Sequence, residues 1–144
     1  QVAAKTLRDI GMNVDLQAMD WSSVTSRRAK KDPVDKGGWN MFPTWWIGGD
    51  LLNPLTNAAM IANPDKAWPG WPNDKKMEEL RQAFANAATL DEQKAAAAAV
   101  QQRSIETAQY INLGTYFVPV GYRDNVKGMI PSPVQFFWNM EKTS

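Results

Sequence analysis

The chain has 144 residues, 44% of them hydrophobic and 22% charged, with 16 basic against 15 acidic side chains and a formal charge of +1. That is one domain's worth of sequence, with apolar residues enough for a core and no electrostatic case for nucleic acid or an anionic membrane surface. No cysteine or histidine occurs, which removes thiolate chemistry, disulfides, the commonest general base and the commonest transition-metal ligand.

In chain order, Val2, Ala3, Thr6, Leu7 and Ile10 fall on one face of a helix over residues 1–10, and Gly11 is placed to stop it. This pattern is under way from the first residues, and the chain does not open on methionine. It is therefore expected to be a piece of a longer protein, with any export signal upstream. Val14, Leu16 and Ala18 alternate with Asp15, Gln17 and Met19, the pattern of a half-buried strand. Asp20 is expected to cap a helix over 21–31, ended by the breaker run "KKDPVDKGG". A second strand is expected over 39–46, confined by Pro43 to an edge or bulge.

Residues 47–73 are rich in Gly, Pro and Asn and read as a long ordered loop with a helical turn near 53–61. Two firmer helices follow. Asn73 is expected to cap the first, in which Met77, Leu80, Phe84 and Ala87 recur at helical spacing. "TLDE", residues 89–92, is a capping-box pattern for the second, where Ala97, Val100, Ser104 and Ala108 make a narrow packing stripe. "YINLGTYFVPVGYRDNV" has the β-branched and aromatic content of strands, broken at Gly114, Pro119 and Gly121. The order is α-β-α-β, long loop, α-α, β: one mixed α/β lobe over residues 1–144, without a fixed-period repeat or separate linker.

The sequence carries no nucleophile elbow, phosphate-cradling glycine loop or metal-ligand cluster, and none of its carboxylates stands out as a catalytic pair. No enzyme, cofactor or metal is expected. Arg27, Arg28, Lys30 and Lys31 are followed closely by Asp32 and Asp35, so that run reads as a solvated helix end rather than a phosphate site. The scattered methionines read as core filling.

One stretch stands apart. "GGWNMFPTWWIGGDLLNP", residues 37–54, places Trp39, Trp45 and Trp46 among four glycines with a single charge, Asp50. In one reading the indoles are buried against the later helices, the glycines turn the chain, and Asp50 caps a helical turn. In the other the indoles line a pocket, Gly48 and Gly49 let a ligand approach the backbone, and Asp50 orients it. A carboxylate between aromatic faces suits an ammonium group, while flat indoles equally suit sugar rings.

The chain resembles the C-terminal part of the bacterial extracellular solute-binding proteins of family 5, the peptide/nickel/opine-type receptors of ABC importers. "LRDIGMNVDLQAMDW" is similar to that family's helix–strand–"DW" passage, and "GGWNMFPTWWIGGDLLNP" to its "GW…W…aD…dP" passage. The span from "PNDKKMEELRQAF" through "YFVPVGYRDNVKG" is similar to its paired helices and closing strand. The resemblance implies a mixed-sheet lobe of a two-lobed periplasmic binding protein, type II-like, whose N-terminal lobe lies outside this chain. It implies a solute (a peptide, opine or oligosaccharide) held between lobes and passed to an ABC permease at the membrane. It implies a periplasmic or extracellular location and no chemistry. Asp50 matches the position that holds a peptide's amino terminus, and Trp46 and Trp45 match pocket-lining positions. "WWIGGD" has one residue more between tryptophan and aspartate than the commonest family form. A purely protein-interacting domain is the rival from another class.

Overall fold

The computed structural model describes all residues, 1–144, in two compact units, Gln1–Trp45 and Trp46–Ser144. In the first unit, α1 (Val2–Asp9) ends as its glycine dictates. Gly11 turns left-handed at φ 92°, its N–H donates to the Arg8 carbonyl at 2.9 Å, and the Met12 N–H donates to Leu7 at 3.0 Å. These two bonds are the Schellman closure of a helix end. The expected apolar face is only partly covered: Ala4 is buried, whereas Val2 and Ile10 are exposed.

Helix α2 (Trp21–Arg28) begins where Asp20 accepts from the Ser23 N–H at 3.0 Å and stops three residues short of the expected end. Hydroxyls of Ser22 and Ser23 also donate to that carboxylate and, with the amide, hold it well below the usual aspartate range. Beyond α2, a 3₁₀ turn (Val34–Lys36) leads into Gly37 at φ 94°. Arg27 reaches back to the carbonyls of Gly37 and Gly38 at 2.8–3.2 Å and to the Gln17 side chain. The basic run is thus partly structural at Arg27. A Cβ on Gly38 would overlap the Asp32 carbonyl, so only glycine fits there.

The second unit is built on a helical hairpin, α4 (Lys75–Asn86) and α5 (Leu90–Thr107), preceded by the short α3 (Gly48–Leu51) and a 3₁₀ turn, Ala58–Met60. Its core is Met60, Ala62, Met77 and Val100, with Leu80 and Tyr110 packed against them. Full burial of Met77 and Val100 contributes about 1.5–3 kcal/mol each. The cap of α4 is Asp74, one residue after the expected Asn73; its carboxylate accepts from the Met77 N–H at 3.2 Å. Its other oxygen takes the Arg103 Nε at 2.8 Å, tying the start of α4 to the end of α5. This bond from Arg103 lowers the Asp74 carboxyl's pKa and raises that of the guanidinium. The Thr89–Glu92 capping box forms as expected, and α5 ends with Ala108 left-handed at φ 48°. Of the expected stripe, Val100 and Ser104 are buried, while Ala108 lies past the helix end and is exposed.

The expected strands over 14–19 and 39–46 do not form, and within 110–126 only the last residue, Val126, is in a strand. The one ladder is two residues long: β1 (Val126–Lys127) pairs antiparallel with β2 (Glu141–Lys142). The physical reason is common to all three failures. A helix satisfies its backbone within itself, but an alternating segment becomes a strand only beside a neighbour that takes its N–H and C=O groups. Residues 111–122 are exposed throughout, with Phe117 at 95%. The architecture is therefore a small mixed arrangement of helices and a short sheet, without the mixed sheet expected of an α/β lobe.

Candidate solute site

The six candidate residues divide between the units: Trp39 and Trp45 in the first, and Trp46, Gly48, Gly49 and Asp50 in the second. Trp39 is half-buried and structurally engaged. Its Nε1 donates to the Arg28 carbonyl at 3.0 Å, and its ring meets Phe42 edge-on at 4.6 Å. Trp45 is 59% exposed. Trp46 is half-buried against Trp68, ring centroids 4.8 Å apart and planes tilted 52°.

The four glycines of the stretch separate into two kinds. Gly37 has a left-handed φ and Gly38 has no room for a Cβ, so the first pair turns the chain. Gly48 and Gly49 have ordinary φ values, and a Cβ on either would meet nothing within 4 Å. Nothing inside the fold requires the second pair, although glycine within a helix costs about 1 kcal/mol relative to alanine.

Asp50 does not cap a following helix. Ile47 occupies the cap position of α3, and Asp50 is its third residue, with its N–H donating to the Ile47 carbonyl at 2.9 Å. Its exposed carboxylate accepts no hydrogen bond and makes no ion pair within the chain. By contrast Asp20, Asp74, Glu78 and Glu92 are all spent on caps and clamps.

A four-residue helix has no stability of its own, so its position comes from its anchors. Asn57, fully buried, accepts from the Ala59 N–H at 3.1 Å and donates across 3.5 Å to the Leu51 carbonyl. Arg81, 9% exposed, is the main clamp. Its guanidinium donates to the carbonyls of Pro54 at 3.0 Å and Leu55 at 3.2 Å, and pairs with Glu78 at 2.8 Å. Glu78 in turn accepts from the Ala62 N–H at 2.7 Å. Two charged residues of α4 thereby fix both ends of the loop that follows Asp50. Sequence reasoning missed them because Glu78 and Arg81, three apart on a helix, look like an ordinary surface pair.

It also missed Trp68. The signal was present in "WPGW": Pro69 and Gly70 (φ 119°) occupy the central positions of a turn closed by the Trp71 N–H on the Trp68 carbonyl at 2.9 Å. This is the pattern of a type II turn. Trp71 itself sits at φ 44° immediately before Pro72, a conformation costing a bulky residue on the order of 1–3 kcal/mol. Such strain persists only where the surroundings over-determine it.

Two shallow concavities, of about 460 and 520 Å³, are lined by residues from Tyr122 to Met129 and from Gln17 to Gly37, and none of the six candidates lines either. No cluster of acidic side chains is placed to hold a metal ion, and no helix is long and apolar enough to cross a membrane.

The chain is 39% identical over 142 residues to a probable peptide ABC transporter periplasmic-binding protein of Sinorhizobium fredii (strain NBRC 101917 / NGR234). The resemblance read from the sequence holds. The match covers 99% of this chain and 27% of the relative, so the chain spans about a quarter of that protein's length. No protein-family profile matches the chain.

Proposed function

We propose that the chain is part of the substrate-binding component of an ABC importer, which captures a peptide-like solute between two lobes and delivers it to a membrane permease. The observation that carries this reading is the 39% identity to a peptide-type binding protein across virtually the whole chain. In it, Asp50 receives the solute's ammonium group, since its carboxylate is exposed and unspent. Gly48 and Gly49 leave the backbone open to the solute's main chain, and Trp46 presents aromatic surface beside it. Trp39 is engaged within its own unit, its indole N–H donating to the Arg28 carbonyl.

In this reading the protein works in the periplasm, the extended segments pair with the remainder of the longer protein, and capture involves hinge closure without covalent chemistry. An oligosaccharide receptor of the same family is the second reading, favoured by the 59% exposure of Trp45.

The test is binding of tri-alanine, its N-acetylated form and short oligosaccharides to the full-length protein, followed by thermal shift. Tri-alanine should raise the melting temperature and its acetylated form should not. Asp50→Asn should weaken tri-alanine by at least about thirtyfold, the scale of truncating one partner of a desolvated charge pair. Oligosaccharide binding that is indifferent to Asp50→Asn would replace the peptide reading with the sugar one.

A further inference from the structure

Asp50 is anchored on its C-terminal side by Arg81 and Asn57, which hold Pro54, Leu55 and Leu51. On its N-terminal side the contact described above is Trp46 on Trp68, four residues before the carboxylate. Trp68 is itself held on both flanks. Upstream, Asn63 gathers the chain: its carbonyl accepts from Lys66 at 3.0 Å and Ala67 at 2.7 Å, and its side chain accepts from the Asp65 N–H at 3.0 Å. Downstream lie the closed "WPGW" turn and the strained Trp71 before Pro72. An indole fixed this tightly is a support rather than an adaptable surface. The pair is also only half-buried, so aromatic surface remains outside the contact. Gly48 and Gly49 contribute no side chains, and the turn is closed by the Asp50 N–H donating to the Ile47 carbonyl at 2.9 Å.

We infer that Trp68 is a positioning residue of the solute site: its tilted stack on Trp46 sets the entry of the Gly48–Leu51 turn and so the direction in which Asp50 meets the solute's ammonium group. This inference rests on the solute-capture reading above and adds to it a residue outside the aromatic stretch that drew attention in the sequence. Trp68 acts through Trp46. Its loss should therefore matter only while Trp46 is present.

A double-mutant cycle in the full-length protein tests this, with tri-alanine as the probe and the ligand-free melting temperature as the control for folding. Trp68→Ala should weaken tri-alanine about tenfold, the upper end of what an aromatic pair is worth, and Trp68→Phe should restore most of the loss. Trp46→Ala combined with Trp68→Ala should bind no worse than Trp46→Ala alone. Should Trp68→Ala fail to fold, Trp68→Leu, which retains bulk without the indole face, carries the same cycle. Strictly additive losses, or wild-type affinity in Trp68→Ala beside a large loss in Asp50→Asn, would overturn the inference and leave solute capture standing. If the unmodified protein binds no peptide, the capture reading falls, and the inference falls with it.

Discussion

The helical hairpin of α4 and α5 and the segment 111–122 are neighbours in sequence, both rich in apolar side chains, and their fates differ completely. The hairpin buries Met77 and Val100, uses Asp74, Glu78, Arg81, Glu92 and Arg103 in caps and clamps, and closes itself. The segment exposes Ile111, Leu113, Tyr116, Phe117 and Val118 and pairs with nothing. The difference lies in where each finds its backbone partners. Helical hydrogen bonds are local, while a strand's partners belong to another stretch of chain.

This contrast can be broken from either side. The largest effect should come from the hairpin's centre: Met77→Ala removes a fully buried side chain and should cost about 3 kcal/mol in urea unfolding of the chain. Arg81→Leu should come next, at about 2–3 kcal/mol, because it strands the carbonyls of Pro54 and Leu55 and the Glu78 carboxylate. It should also expose the 47–63 loop to proteolysis, whereas Met77→Ala should loosen the hairpin as a whole.

Asp74→Ala should cost about 1–2 kcal/mol through the lost cap. That variant carries a pH signature as well. The Asp74 carboxyl lies below its ordinary value because of Arg103, so its contribution is fully present above the unfolded value and lost as pH falls through the folded one. Below about pH 4 the protein should therefore lose stability more steeply than the variant. Parallel pH–stability curves would show that the Arg103 pair contributes nothing. Smallest of all, Phe117→Ser should change the chain's stability by less than about 0.5 kcal/mol. A loss comparable to that of Met77→Ala would mean that the segment packs after all.

The same distinction explains what could be read from the residues alone. Helix ends were legible because their signals are local: Gly11, Asp20 and the Thr89–Glu92 box all act within a few residues of where they stand. The cap of α4 was displaced by one place because "ND" offers two similar side chains in succession, and only Asp74 also reaches Arg103. The strands were not legible as strands, since alternation describes one edge of a ladder and says nothing of the other. At the candidate site one alternative read Asp50 as a cap, whereas Ile47 holds the cap position of α3 and Asp50 lies inside that helix. The supports were hidden for the opposite reason to the caps. Arg81 acts on carbonyls 26 and 27 residues away, and Trp68 on an indole far upstream, so no spacing rule connects them.

The open space around Gly48 and Gly49 has a practical consequence. Because the chain has no cysteine, Gly49→Cys would introduce a single thiol into it, at a place where a side chain meets no internal obstacle. An environment-sensitive dye attached there would sit beside Asp50, and under the proposed function its emission should change when tri-alanine is added to the full-length protein.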